Sequence, residues 1–579
     1  MVMRRLRKLA LAFLACLVFA VLAPMYFAER RPDEGFAISP VIASPRDMHV
    51  LAVPVRLSDA PDLTLTRGVV YDYGPATSKE AASRILLDNP VFTLNAAGLR
   101  AGSRHGDSDG ADLGPLSAVI QQIVSLSFHQ ITIHRGTLHV TMADGTVETI
   151  GDIQAELKWR RKGQIGALGN FTVRGQRVAF DASISQPLDK KPPQRWALQA
   201  SFKASLLQGT FDGHEHLAED LQLSGEADVS TPSLRRLGKW FGLPLHITEG
   251  FNATTIKGEL TWARRSLTFE KAKIVVDGNE ANGRLALNTG GERPHVEAVL
   301  DFSVLDLTPH VEAARTQLFG LDLAAASWSW FDISLPMIRY LDGDLRISAR
   351  KVMLKGYTFG PGGATITARA GRLQAVIPEL DLNSGTLSAQ VTAIMSEVMP
   401  RYALRAELKN FDAGPASTLL LGAASLTGRA TLTVDLTSTG YSPPEIIKRL
   451  SGKAELTLPE GGRLALDLKA LAGVAKSGAR GWAQLAKSQT AVERLEARAL
   501  IIDGVAFLEK MQAHSGSVAL AGSGRFGLHD GNMDIRLTLK SNSPADQAPK
   551  VGSDTVTLRG PWHEPAVRAE DTDTNLPPW

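Results

Sequence analysis

The sequence predicts a mainly β protein: one amino-terminal transmembrane helix, then a long series of antiparallel strands interrupted by a few short helices. Three observations carry this. Residues 9–28 form a run of 20 residues without a charge. The rest of the chain is dominated by short segments in which apolar and polar residues alternate with a period of two. Asp-Gly dipeptides, which favour hairpin turns because both residues accept positive φ, punctuate those segments at Asp144-Gly145, Asp277-Gly278, Asp342-Gly343, Asp503-Gly504 and Asp530-Gly531.

Composition sets the bounds. The chain has 579 residues, 44% hydrophobic and 21% charged, with a formal net charge of +3. That is ordinary for folded protein, and no basic stripe interleaved with aromatics points to nucleic acid. The one cysteine, Cys16, lies inside the apolar run, which excludes an internal disulfide framework and a cysteine-based zinc cluster.

The run Leu9 to Ala28 would be about 30 Å long as a helix, matching the hydrocarbon core of a bilayer. Arg4, Arg5, Arg7 and Lys8 precede it, so residues 1–8 are expected in the cytoplasm and everything after Glu29 is expected to be exported. A cleaved signal peptide is the alternative. The length of the run, and Pro24 directly after a Val21-Leu22-Ala23 site, favour an uncleaved anchor.

The strands follow in order. In "HVEAVLDFSVLDL" Val296, Ala298, Leu300, Phe302 and Val304 share one face, and Glu297, Asp301 and Ser303 the other. In "DLRISAR" Leu345 and Ile347 oppose Arg346, Ser348 and Arg350; in "RATLTVDLTS" Leu432, Val434 and Leu436 oppose Thr431, Thr433, Asp435 and Thr437. "GRLALDL" groups Leu464, Leu466 and Leu468, and "NMDIRLTLK" groups Met533, Ile535, Leu537 and Leu539. A loose repeat of strand, glycine-containing turn and strand recurs in "LTFEKAKIVVDGNEANGRLAL", "LQAVIPELDLNSGTLSAQV" and "AFLEKMQAHSGSVALAGSGRFGL". Short helices are expected at 115–126, 233–241 and 443–450, the last opened by Ser442-Pro443. A longer one is expected from about Lys469 to Leu495, weakened by Gly473, Gly478 and Gly481.

Two motifs were weighed as chemistry. Gly522, Gly524 and Gly527 spell G-x-G-x-x-G, but a dinucleotide loop needs a following helix whose amino terminus holds the pyrophosphate. Here an alternating segment follows instead, so the glycines are expected at hairpin and bulge positions, with no cofactor. His129, His134 and His139 fall five apart, which in a continuous strand puts successive ones on opposite faces. His214 and His216 share a face, but no third ligand accompanies them in sequence. No metal site, H-E-x-x-H motif, nucleophile elbow or Lys-containing phosphate loop is found, and the expectation is that the chain is not an enzyme.

Several of these segments, in order, resemble the AsmA family of anchored bacterial envelope proteins. They are the amino-terminal anchor, "LGKWFGLPLHITEGFNATTIKGELTW", "WSWFDISLPMIRYLDGDLRISARKVMLKGYTFGPGG", "GPASTLLLGAASLTGRATLTVDLTSTGYSPPEIIKRLSGKAELTLPEGGRLALDL" and "VTLRGPWHEPAV". The likeness extends from about Ile131 to Val567, and residues 39–104 depart from the family pattern. It implies a long antiparallel β-sheet curled into a groove, related to bridge-like lipid-transfer proteins, on a single-pass inner-membrane protein with its bulk in the periplasm. It also implies membrane phospholipids as partners, with envelope proteins besides.

The division expected is then a cytoplasmic tail 1–8, an anchor 9–28, an amino-terminal periplasmic region 29–130, a β-groove 131–440, a carboxyl-terminal region 441–568 and a disordered tail 569–579. The apolar strand faces named above are expected to bind or conduct phospholipid for outer-membrane homeostasis. The same alternation would serve closed sandwich cores in a scaffold that affects outer-membrane protein targeting and assembly through protein partners. Oligomeric state is left open.

Overall fold

A computed structural model describes residues 48–51, 55–56, 63–72, 84–95 and most of 130–569, the longest stretches left out being 1–47, 96–129 and 310–335. The apolar run 9–28 with its basic flank, the candidate helix 115–126 and the tail 570–579 lie outside the described residues. Among those described, no helix is long and apolar enough to cross a membrane. The described chain is mainly β, and it divides into two units: residues 1–245, 251–300 and 340–342, and residues 246–250, 301–339 and 343–579.

In the first unit Met48–Leu51 and Val55–Arg56 pair with Leu63–Asp72, which pairs with Arg84–Asn95. Arg84–Asn95 and Gln130–Thr141 run parallel, a pairing that needs a long connection rather than a hairpin. From there each strand pairs antiparallel with its successor: Val147–Arg160, Gln164–Val173, Gln176–Ser185, Arg195–Lys203, Gln208–Leu217, Leu221–Thr231, Thr254–Ala263, Ser266–Val276 and Asn279–Asn288.

The second unit repeats the pattern through Asp342–Ala349, Gly362–Arg369, Arg372–Asp381, Thr386–Ile394, Arg401–Asp412, Leu426–Thr439 and Ser451–Leu458. Ser451–Leu458 then pairs with Arg494–Ile502, and the meander continues through Val505–Ser515, Val518–Gly527, Asn532–Ser541, Asp554–Pro561 and Ala566–Ala569. The strand Gly462–Leu464 pairs with the start of Leu426–Thr439 on one side and with Thr490–Val492 on the other. The three repeat segments are all hairpins, the first in the first unit and the other two in the second.

Asp277-Gly278 and Asp503-Gly504 are the expected two-residue turns, with φ of 49° and 84° in one and 46° and 75° in the other. Asp342-Gly343 is not a turn: it opens a strand, where Gly343 pairs with Ala368. The dipeptide permits positive φ without requiring it. Arg174-Gly175 and Ala370-Gly371 make the same turn with φ of 46° and 74°, and 50° and 82°. At Asp530 the side chain accepts a hydrogen bond from the Asn532 N–H at 3.1 Å, which lowers its pKa and closes the connection between Val518–Gly527 and Asn532–Ser541.

These turns carry a prediction. Gly175→Ala meets only the left-handed backbone penalty of about 1–2 kcal/mol, because nothing lies within 4 Å of an added Cβ. Gly504→Ala meets that penalty and also places Cβ 2.5 Å from the Ile447 carbonyl oxygen. Chemical denaturation should therefore show Gly504→Ala as clearly the more damaging; equal losses would contradict this turn geometry.

The expected helices appear as Leu234–Phe241, where the Arg236 N–H donates to Ser233 Oγ at 3.3 Å, and Pro443–Lys448, with proline in its first turn. The long helix expected from 469 to 495 differs. Among the described residues, 468–471 and Trp482–Leu485 are helical, and strand resumes at Thr490. Leu495, Ala497, Ala499 and Ile501 alternate with Arg494, Glu496, Arg498 and Leu500, and that period of two prevails over the helix propensity of the alanines. An unforeseen helix, Ala413–Leu421, starts where Asp412 Oδ1 accepts the Gly414 N–H at 3.0 Å.

The G-x-G-x-x-G segment lies wholly within the strand Val518–Gly527 and is followed by another strand. Opposite Gly522 and Gly524, the partner strand bulges between Leu508 and Met511. At Gly524 φ is 144°, and an added Cβ would lie 2.3 Å from the Asp534 carbonyl oxygen. The glycines allow two strands to approach closely at a bulge.

Candidate functional site

Cross-strand register turns the alternation into rows. In the second unit Leu345, Ile366, Ala375, Val391, Leu404 and Leu436 form one line of directly opposed residues. A parallel line runs from Ile347 opposite Ala364 to Ile377, Ala389, Ala406, Val434 and Ala454, and is mostly small from Ala389 onward. A third is large again: Leu387, Leu408, Leu432 and Leu456. A low row between two tall ones makes a trough.

None of these residues is buried, and Val391 is 39% exposed. A sandwich core would hide them; this face lies half open. The seven strands from Asp342–Ala349 to Ser451–Leu458 carry it about 29 Å at ~4.8 Å per strand. Its margins are closed locally. At one, Ile338 of the 3-10 turn Pro336–Arg339 is buried with Ala393 and Met395 against Ala368, Leu373 and Tyr402. At the other lies a large buried cluster that includes Phe411, Ala413 and Ala430, the first and last on strands and Ala413 on the helix Ala413–Leu421.

That cluster thickens towards the carboxyl terminus. Leu466, Leu468, Leu471 and Leu485 cover the face of the last strands, leaving Leu537 3%, Leu539 3%, Val556 0%, Leu558 5% and Val567 4% exposed. The face is open at the start of this unit and sealed at its end.

The residues singled out from the sequence fall into these two environments. Leu345, Ile347, Leu432, Val434 and Leu436 are half-buried on the trough face. Leu466, Leu537 and Leu539 are buried in the closed cluster, and Leu464, Met533 and Ile535 pack against it. In the strand His295–Phe302, Ala298 and Phe302 are buried and Val296 and Leu300 half-buried; Leu300 packs in the first unit against the cluster of Ala227, Phe269, Ala272 and Ile274. Arg4, Arg5, Arg7 and Lys8 lie outside the described residues. Ile366, Ala375, Val391, Leu404 and Ala406 were not singled out. "RYALRAELK" does alternate cleanly, whereas "GGATITAR" hides its apolar face behind small residues.

The opposite face is polar and laced by cross-strand ion pairs: Arg369 with Asp344 at 2.7 Å, Arg405 with Asp435 at 3.2 Å, Arg498 with Glu455 at 2.8 Å and Arg559 with Asp534 at 3.0 Å. In the first unit Arg284 holds Glu270 at 2.7 Å and Glu297 at 3.2 Å, and the Glu270 hydrogen bond is the main cause that raises its pKa. Such solvent-exposed pairs contribute little stability each, but they fix which face meets water.

His134, His139 and His214 lie on strands of the first unit. His134 is exposed, between buried Ile133 and exposed Arg135, and His139 is half-buried, between buried Leu138 and Val140. They share a face, contrary to the alternation expected for a continuous strand, because the bulge at Arg135-Gly136 adds one residue between them. His214 is exposed. Among the described residues no group of three His, Cys, Asp or Glu could hold a metal ion.

Over 293 residues the chain is 21% identical to Protein AsmA of Escherichia coli (strain K12), a stretch that makes up 48% of this chain and 47% of that protein. The chain is AsmA-like. It spans about half the length of the AsmA protein it matches. No family model matches it, and no solved structure does; the AsmA likeness is one of sequence, and the trough is read from this chain's own strands.

Proposed function

We propose that this AsmA-like chain is an inner-membrane-anchored envelope protein whose bulk lies in the periplasm, and that its trough binds or conducts phospholipid for outer-membrane homeostasis. The observation that carries the reading is the half-open apolar face: registered rows of aliphatic side chains left partly exposed, the row Leu408, Leu432 and Leu456 resting against the closed cluster. An acyl chain of about 16 methylenes costs on the order of 13 kcal/mol to expose to water, at ~0.8 kcal/mol per methylene. A continuous apolar wall with a polar back offsets that cost along its length. The function asks for cover and no catalysis, so the chain is a carrier rather than an enzyme.

The test uses adjacent positions on the strand Arg401–Asp412. A photo-crosslinking residue in place of Leu404, on the trough face, should capture phospholipid in cells. In place of Arg405, on the polar face, it should not. Adducts with protein alone at Leu404 would favour the scaffold reading, and identical products at both positions would refute the two-faced sheet.

A further inference from the structure

The four strands Gly362–Arg369, Arg372–Asp381, Thr386–Ile394 and Arg401–Asp412 have charge polarised along their length. Arg369, Arg372, Arg401 and Arg405 lie towards one margin of the sheet, the one closed by the turn Pro336–Arg339; Glu379, Asp381, Glu407 and Asp412 lie towards the other, with Lys409 as the one cation among them, held by Glu407 at 3.1 Å. At the arginine margin the register is direct: Arg369 faces Arg372, Arg372 faces Ile394, and Ile394 faces Arg401. Their neighbours Leu373, Ala393 and Tyr402 belong to the trough side, so alternation turns the arginines and Ile394 to the outer face. Arg369 is engaged by Asp344 at 2.7 Å. Arg372 and Arg401 are exposed, and neither makes an ion pair among the described residues. Ile394 stands between them, 38% exposed.

We infer that this margin docks onto the surface of an anionic phospholipid bilayer, with Arg372 and Arg401 on lipid phosphates and Ile394 reaching below them. The inference rests on the lipid-trough reading, to which it adds the headgroup class and the edge that meets the membrane. The chemistry selects a bilayer over a free anion. Two guanidiniums on adjacent strands of one aliphatic residue reproduce the order of an interface, with phosphate above and hydrocarbon beneath. A free phosphate would gain nothing from the exposed Ile394.

The experiment uses the full-length chain held in nanodiscs of zwitterionic phosphatidylcholine and mixed with acceptor vesicles, with or without a phosphatidylglycerol fraction. Docking should require phosphatidylglycerol and weaken with salt. R372Q/R401Q should weaken it about 25-fold, roughly fivefold per arginine near an anionic surface. R346Q, on the first strand of the same face but away from this margin, controls for charge alone and should have a much smaller effect. Equal docking by wild type and the double variant would overturn the proposal. So would docking indifferent to phosphatidylglycerol, or binding of inorganic phosphate by the same residues with no vesicle docking. Lipid capture at position 404, measured in the same variant, keeps the two readings apart: capture with unaltered docking removes only the margin, and docking without capture removes only the trough.

Discussion

Val434→Asp should strip the purified chain of bound phospholipid, while Thr433→Asp, its neighbour on the outer face, should leave lipid content unchanged. Val434 lies in the low row of the trough between Ala406 and Ala454. An ionised carboxylate there faces water when the trough is empty and hydrocarbon when it is filled. The folded chain tolerates the first state at about 1 kcal/mol, the span of strand propensities. The second costs several kcal/mol of desolvation, enough to lower lipid occupancy at least about 100-fold. Lipid extraction with mass spectrometry reads the occupancy, and thermal unfolding checks that the fold persists. Undiminished lipid in Val434→Asp would mean that this face does not hold acyl chains.

Leu458→Asp should do the reverse and destroy the fold of the sealed end. Leu458 is fully buried in the large cluster, opposite Leu495 and in company with Leu466, Leu468 and Leu485. No water reaches it and no described cation lies in that cluster, so the loss should exceed about 4 kcal/mol, beyond most single substitutions. Leu458→Ala, which leaves only a cavity, should cost about 2–5 kcal/mol. Denaturation of the purified protein and its steady-state level in cells both report this. A stable Leu458→Asp protein would show that the end is open like the rest.

The two outcomes differ because one repeating pattern builds two environments, and this limits what the sequence discloses. Alternation in "RATLTVDLTS" and "NMDIRLTLK" is equally clean and correctly places Val434 and Leu537 on the apolar face. It does not say that Leu537 lies under Leu466 and Leu485 while Val434 lies open, because the covering segment is far away along the chain. Register was legible where Asp-Gly set the turn, and less so where Arg174-Gly175 or Ala370-Gly371 did, since glycine alone supplies only one positive φ. Bulges were invisible. The one at Arg135-Gly136 moved His139 to the face of His134, against a strict count of two. The arginine margin needed the register as well, because Arg372 and Arg401 are 29 positions apart in sequence and meet only through Ile394.

Nearly all the strand pairings join neighbours in sequence, and this shapes how the molecule acquires its structure. Contact order is low over most of the sheet, and each new hairpin finds its template already in place, so order can propagate from strand to strand as in a repeat protein. Among the long ladders two steps break that rule most: the parallel union of Arg84–Asn95 with Gln130–Thr141, and the return of Arg494–Ile502 to Ser451–Leu458. Each must close a loop of more than thirty residues before its first ladder bond forms, as the separations Arg84 to Gln130 and Leu458 to Leu495 require. Loop-closure entropy grows only slowly with length, but it is met before any contact offsets it. The sealed carboxyl-terminal cluster therefore depends on a non-local step, whereas the open trough is assembled from local ones.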